Sequence, residues 1–178
     1  MAVHQDTSGQ AIEYAKALCK AIGSTKKGAI HVNIDDETCL DLMTEQGVLP
    51  LVYKVFEEAF KLEREMGHPE EAVLMEAYLS KEPMYMMEKA AELGMYRQMP
   101  FHSHTSQFGQ LRSFRAFDPT PIREFLRDRY DQIKDGTFTK AWDEEQEINH
   151  LATLEKEREE VLNSDMSLAE ARTFEKLK

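Results

Sequence analysis

Wherever the apolar residues of this chain repeat, they do so at three- and four-residue steps, and no stretch alternates apolar with polar as a half-buried strand does. A sequence patterned this way buries its apolar stripes against other helices, so the expected fold class is all-α. Residues 10–22 open the pattern with Ile12, Tyr14, Ala15, Leu18, Cys19 and Ile22, behind the capping candidates Thr7 and Ser8 and ahead of Gly23. Residues 28–33 lack the period. It returns over 35–67, led by Asp35, Asp36 and Glu37, whose charge suits the positive end of a helix. Gly47 and Pro50 interrupt that segment. Because proline lacks the backbone donor and clashes with the preceding turn, two helices or one strongly kinked helix is expected there. A further helix is expected from Pro69 toward Gly94, kinked at Pro83. Over 95–117 the period fails, and the stretch reads as a structured connector. One helix is expected between Asp118-Pro119 and Asp135-Gly136, one over 138–163, and a short last one behind the capping box Ser167-Leu168-Ala169-Glu170.

At 178 residues and 20.6 kDa the chain is expected to form a single domain over 1–178, with its core in about 1–150 and a helical C-terminal extension over 151–178. A net charge of -11 argues against nucleic acid and anionic membrane surfaces, which select for clustered Lys and Arg. No apolar run reaches the roughly 20 residues of a membrane span, and the N-terminus lacks the basic-then-apolar order of a signal peptide. A cytoplasmic protein is expected. Cys19 and Cys39 fall in apolar-periodic segments and read as reduced core residues; Met84, Met86, Met87 and Met95 read as core filler.

Chemistry enters with Asp41 and Glu45. Four residues apart on a helix, they stack two carboxylates on one face, within reach of one cation. Hard oxygen donors of this kind suit magnesium or manganese. A solvated acidic face would look the same in a chain with 33 Asp and Glu, but the neighbours Leu40, Leu42, Met43, Val48 and Leu49 weigh against it. Spacing alone leaves both readings open. His102 and His104 alternate like a zinc pair, yet no further histidine or cysteine lies near to complete a set, so hydrogen bonding in a packed loop is the expected role. There is no nucleophile elbow, phosphate loop or dinucleotide fingerprint.

Over most of its length the chain resembles a known family. Ala2-Val3-His4-Gln5-Asp6 with Ser8-Gly9, Ala21-Ile22-Gly23 with Gly28, Glu37-Thr38 through Asp41-Leu42-Met43-Thr44-Glu45-Gln46, Ser103 through Gly109, and Asp135-Gly136-Thr137-Phe138 to Trp142 occur in one order. Together they are similar to the knotted C-terminal domain of ketol-acid reductoisomerase, an enzyme of branched-chain amino-acid biosynthesis. The resemblance implies an all-α knotted domain without a Rossmann domain. It implies Mg2+ held by Asp41, Glu45, Glu76 and Glu82, catalysis by Asp41, Glu45 and Glu82, and contact with an acetohydroxy acid through Ser103 and Glu76. Family members share the site between two intertwined chains, so a homodimer is implied. The reaction is a magnesium-dependent alkyl migration followed by reduction from NADPH, which would need a separate Rossmann domain; the isolated domain is not expected to turn over. Two alternatives stand beside this one: a non-catalytic helical dimerisation module, and a reductase domain for another 2-keto or 2-hydroxy acid.

The family places its two later glutamates four apart. Here Glu76 takes the first place counted forward from Gly67, and Glu82 the second counted back from Ser103, so they stand six apart. In a regular helix that leaves them about 120° apart around the axis. A π-bulge or a kink at Pro83 would restore convergence.

Overall fold

The computed structural model describes residues 1–178. The all-α expectation holds. Ten α-helices follow one another: α1 (Ala11–Ala21), α2 (Ile34–Met43), α3 (Leu49–Glu65), α4 (Glu70–Leu74), α5 (Glu82–Leu93), α6 (His104–Ala116), α7 (Thr120–Lys134), α8 (Thr137–Glu147), α9 (Ala152–Leu162) and α10 (Asp165–Lys176). Two single π-helical turns, Thr44–Val48 and Met75–Leu79, and one 3-10 turn, Met99–Phe101, join them, and the β structure is limited to one isolated bridge between Lys26 and Gly28. No helix is long and apolar enough to cross a membrane.

The chain divides into two compact units, Met1–Pro50 with Glu124–Ala141, and Leu51–Arg123 with Trp142–Lys178. In the first unit Asn33 caps α2 by accepting the Asp36 N–H at 2.7 Å, and Cys39 is its buried apolar side chain. Helical structure then runs on through Gly47 and Pro50 rather than breaking. The extra residue of the first π turn accommodates the proline: the Leu49 N–H reaches the Thr44 carbonyl five residues back, and Pro50 enters α3 in its first turn, where a missing donor costs little. Gly47 is buried, and a Cβ there would lie 2.9 Å from Leu126 Cδ2 and 3.3 Å from Met43 Cε. Glycine is what lets α7 approach this turn.

The second unit holds the larger core: Phe60, Val73, Leu74 and Ala169, with Tyr78, Leu79 and Met166 packed against it. Leu74 is fully buried. The segment after 150, expected as an extension, is helical and supplies Ala169 and Thr173 to the buried interior. Arg172 donates two hydrogen bonds to Glu70, at 2.8 and 2.7 Å, and Lys176 pairs with Glu71, so α10 lies along α4.

Five local expectations are corrected. Pro83 does not kink a long helix; the chain breaks before it, with Lys81 left-handed at φ 65°, and Pro83 occupies the first turn of α5. The stretch 95–117 is not a connector throughout: Ser103 caps α6 by accepting the Ser106 N–H at 3.2 Å, and the helix shows no core period because Phe108 and Phe114 face out of this chain. The helix expected over 138–163 is two, α8 and α9, split where His150 and Leu151 take positive φ; the Glu145 carboxylate accepts the Leu154 N–H at 2.9 Å and anchors the new start. Met84, Met87 and Met95 are exposed rather than core filler. The last helix is capped by Ser164, three residues before the Ser167 expected to cap it, and begins at Asp165.

Candidate functional site

Asp41 lies in the last turn of α2 and Glu45 inside the first π turn. Both carboxylates are exposed, and neither takes a hydrogen bond or an ion pair. Their apolar neighbours do not enclose them: Leu40, Val48 and Leu49 are themselves exposed. The pair is therefore set by helix geometry alone, two acceptors four residues apart.

The second pair is set differently. Glu76 lies in the second π turn and Glu82 opens α5, beyond Ser80 and the left-handed Lys81. The Ser80 N–H reaches back five residues to Met75 O at 3.0 Å, and the Lys81 N–H three residues to Tyr78 O at 2.9 Å. This widened turn followed by a reversal brings both carboxylates to one open cavity of about 260 Å³, lined with Pro83, Met86, His102, Ser106 and Gln110. Glu76 and Glu82 both line this cavity, across a π turn and a backbone break rather than a kink at Pro83.

His102 reaches the cavity wall from the loop before α6, its Nε2 3.1 Å from Gln98 Oε1, and Gln107 donates to its carbonyl at 2.8 Å. That is the hydrogen-bonded loop role expected of it. His104 begins α6 and is exposed. Ser103 spends its oxygen on the α6 cap and is not among the lining side chains; Ser106 and Gln110, one and two turns on, are. Gln110 Nε2 donates to Ser106 Oγ at 2.9 Å. Sequence reading missed this pair because it treated 95–117 as irregular; an i, i+4 spacing on a helix behind a serine cap was the available signal.

Chemically, the carboxylates at 41, 45, 76 and 82 offer hard oxygens, and none is committed to a partner in this chain. Within one chain, no three acidic, histidine or cysteine side chains gather closely enough to enclose a cation. Elsewhere in the second unit, Tyr78 donates its hydroxyl to Glu170, and its ring meets Phe56 edge-on at 5.7 Å. Burial and the adjoining carboxylate push the phenol up from its usual range, so it is a proton donor in this bond.

The chain is thus an all-α domain with two pairs of exposed carboxylates on π-interrupted helices. Residues 34–177 match the family model described as ketol-acid reductoisomerase, C-terminal domain, and the chain belongs to that family. It is 37% identical over 153 residues to putative ketol-acid reductoisomerase 3 of Saccharolobus solfataricus, covering 84% of this chain and 46% of that protein. It is 32% identical over 146 residues to the ketol-acid reductoisomerase (NAD(P)(+)) of Metallosphaera sedula, covering 82% and 43%. The structure of an NADH-preferring ketol-acid reductoisomerase from an uncultured archaeon superposes with a TM-score of 0.86 at 25% identity, over 98% of this chain and 52% of that one. The chain thus spans about half the length of the relatives it matches.

Proposed function

We propose that this domain supplies the metal- and substrate-binding half of a reductoisomerase acting on acetohydroxy acids, with Asp41 and Glu45 of one protomer facing Glu76 and Glu82 of a second. The observation that carries the reading is the convergence of Glu76 and Glu82 on one cavity despite their six-residue spacing. A site whose acids had drifted would not need a π turn and a left-handed residue to bring them together. The donor set fits magnesium: four carboxylates without partners, all hard oxygens. When bound, the ion would polarise the oxygens of the substrate for migration and reduction. Asp41, Glu45, Glu76 and Glu82 would hold or orient the ion, and the amide of Gln110 and the hydroxyl of Ser106 would hold substrate oxygens beside His102. Ser103 positions the start of α6. NADPH would come with a separate Rossmann domain.

The homodimer is supported by surface area. The chain exposes 13992 Å². A compact monomer of this mass exposes about 8,900 Å², and about 10,600 Å² if its two units are scaled separately. The surplus, roughly 3,400 to 5,100 Å² per chain by this scaling, is surface that a second copy can cover.

Titration of Mg2+ into the protein with calorimetry tests the reading, alongside dilution-dependent sedimentation. Saturable binding that Asp41→Ala removes is expected. Absence of binding by the wild-type dimer would leave the non-catalytic module as the better account, and a substrate panel separates acetohydroxy acids from other 2-keto acids.

A further inference from the structure

The second π turn faces two ways. Glu76 is exposed and turned to the cavity, whereas Tyr78, two residues on, is half-buried and packs on the core with Leu79 and Met166. Its hydroxyl is bonded to the carboxylate of Glu170, 92 residues later in the chain and next to the buried Ala169 of α10. α10 is in turn fastened to α4, the helix that runs into this turn, through Arg172 with Glu70 and Lys176 with Glu71.

A π turn is an α-helix carrying one residue too many, so the default is reversion to the four-residue ladder. Reversion rotates every following residue by about 100°. It would swing the Tyr78 phenol off Glu170 and turn Glu76 relative to Glu82. In the structure the Tyr78 hydroxyl meets Glu170 with the turn in the widened register.

We infer that Tyr78 and Glu170 are positioning residues: the bond from the C-terminal helix holds the second π turn in the register that presents Glu76 to the cavity beside Glu82. The metal consequence of this tie rests on the reading of Glu76 and Glu82 given above; the tie itself does not.

The test uses the whole protein and four variants. Tyr78→Phe keeps the ring on Phe56 and removes the hydroxyl. Glu170→Ala removes the acceptor, Glu170→Gln keeps it, and Arg172→Ala breaks a neighbouring α10 contact without touching the turn. Amide hydrogen exchange is read at Ser80, whose N–H closes the π turn, and Mg2+ affinity by calorimetry. Tyr78→Phe and Glu170→Ala should speed Ser80 exchange at least tenfold and weaken Mg2+ about tenfold, as loss of an orienting contact does. Glu170→Gln should restore both to within a few-fold of wild type, and Arg172→Ala should move neither. Unchanged Ser80 exchange in Tyr78→Phe would overturn the inference, as would an equal loss in Arg172→Ala, which would mark general loosening. A wild type that binds no Mg2+ would sink the metal reading instead, while the exchange rates would still decide the tie.

Discussion

Asp41 and Glu45 sit four residues apart on a helical run that continues past them, whereas Glu76 and Glu82 sit six apart across a π turn and a left-handed break. Both pairs use a π turn, yet only the second depends on it for convergence. The first pair would share a face on any α-helix. The second shares a cavity because the backbone departs from the helix and because α10 packs against the departure. Local geometry thus sets one pair, and tertiary packing the other.

The largest effects should fall on metal affinity. Asp41→Ala is expected to weaken Mg2+ at least a hundredfold, beyond what loss of an orienting group costs, while Glu76→Ala should weaken it about tenfold. Calorimetric titration of both variants checks this. Equal losses would mean that the two pairs contribute alike, and the comparison drawn above would fail.

Stability should divide the same way. Leu74, fully buried directly before the second π turn, has the main core behind it; Leu74→Ala should cost about 3 kcal/mol in urea unfolding. Cys39→Ala beneath the first pair should cost about 1 kcal/mol, because little more than one buried heavy atom is lost. A larger cost at Cys39 than at Leu74 would reverse the assignment of which pair leans on packing. Gly47 probes the first π turn: Gly47→Val should cost about 2 kcal/mol by forcing Leu126 and Met43 aside. Adding Leu126→Ala should recover part of that, giving a coupling above about 0.5 kcal/mol in a double-mutant cycle.

The same division explains what could be read before folding. Asp41 and Glu45 were legible because their relation is a spacing, as were α1, the Asp118 cap on α7 and the turn at Gly136. Pro50 was legible as a disturbance but not as its outcome, since one extra residue in the ladder absorbs what a break would otherwise relieve. For Glu76 and Glu82 the sequence left a π-bulge and a Pro83 kink both open; which one occurs depends on packing such as Tyr78 meeting a residue 92 positions away, and on Lys81 accepting a positive φ that no local signal demands. α6 went unseen for a related reason. A periodicity test looks for side chains that are buried, and Phe108 and Phe114 are largely exposed in this chain.

The smallest expected effect concerns the frame behind the second pair. The Arg172 guanidinium, donating two hydrogen bonds, holds the Glu70 carboxyl below the usual carboxylate range. A carboxylate depressed in the folded state stabilises the fold above its unfolded pKa of about 4.3, and that contribution is lost as pH falls through the lower folded value. Arg172 is more than half exposed, so solvent screens the pair and its contribution is small. Stability measured from pH 6 down to about pH 3 should therefore fall less steeply in Arg172→Ala than in wild type. Salt should shrink the difference. Local exchange is the sharper readout, because the loss should appear first in the amides of α4 and α10 and leave those of α2 unchanged. Acid-induced loosening that began in α2 instead would show that the Arg172–Glu70 pair is not what acid releases first.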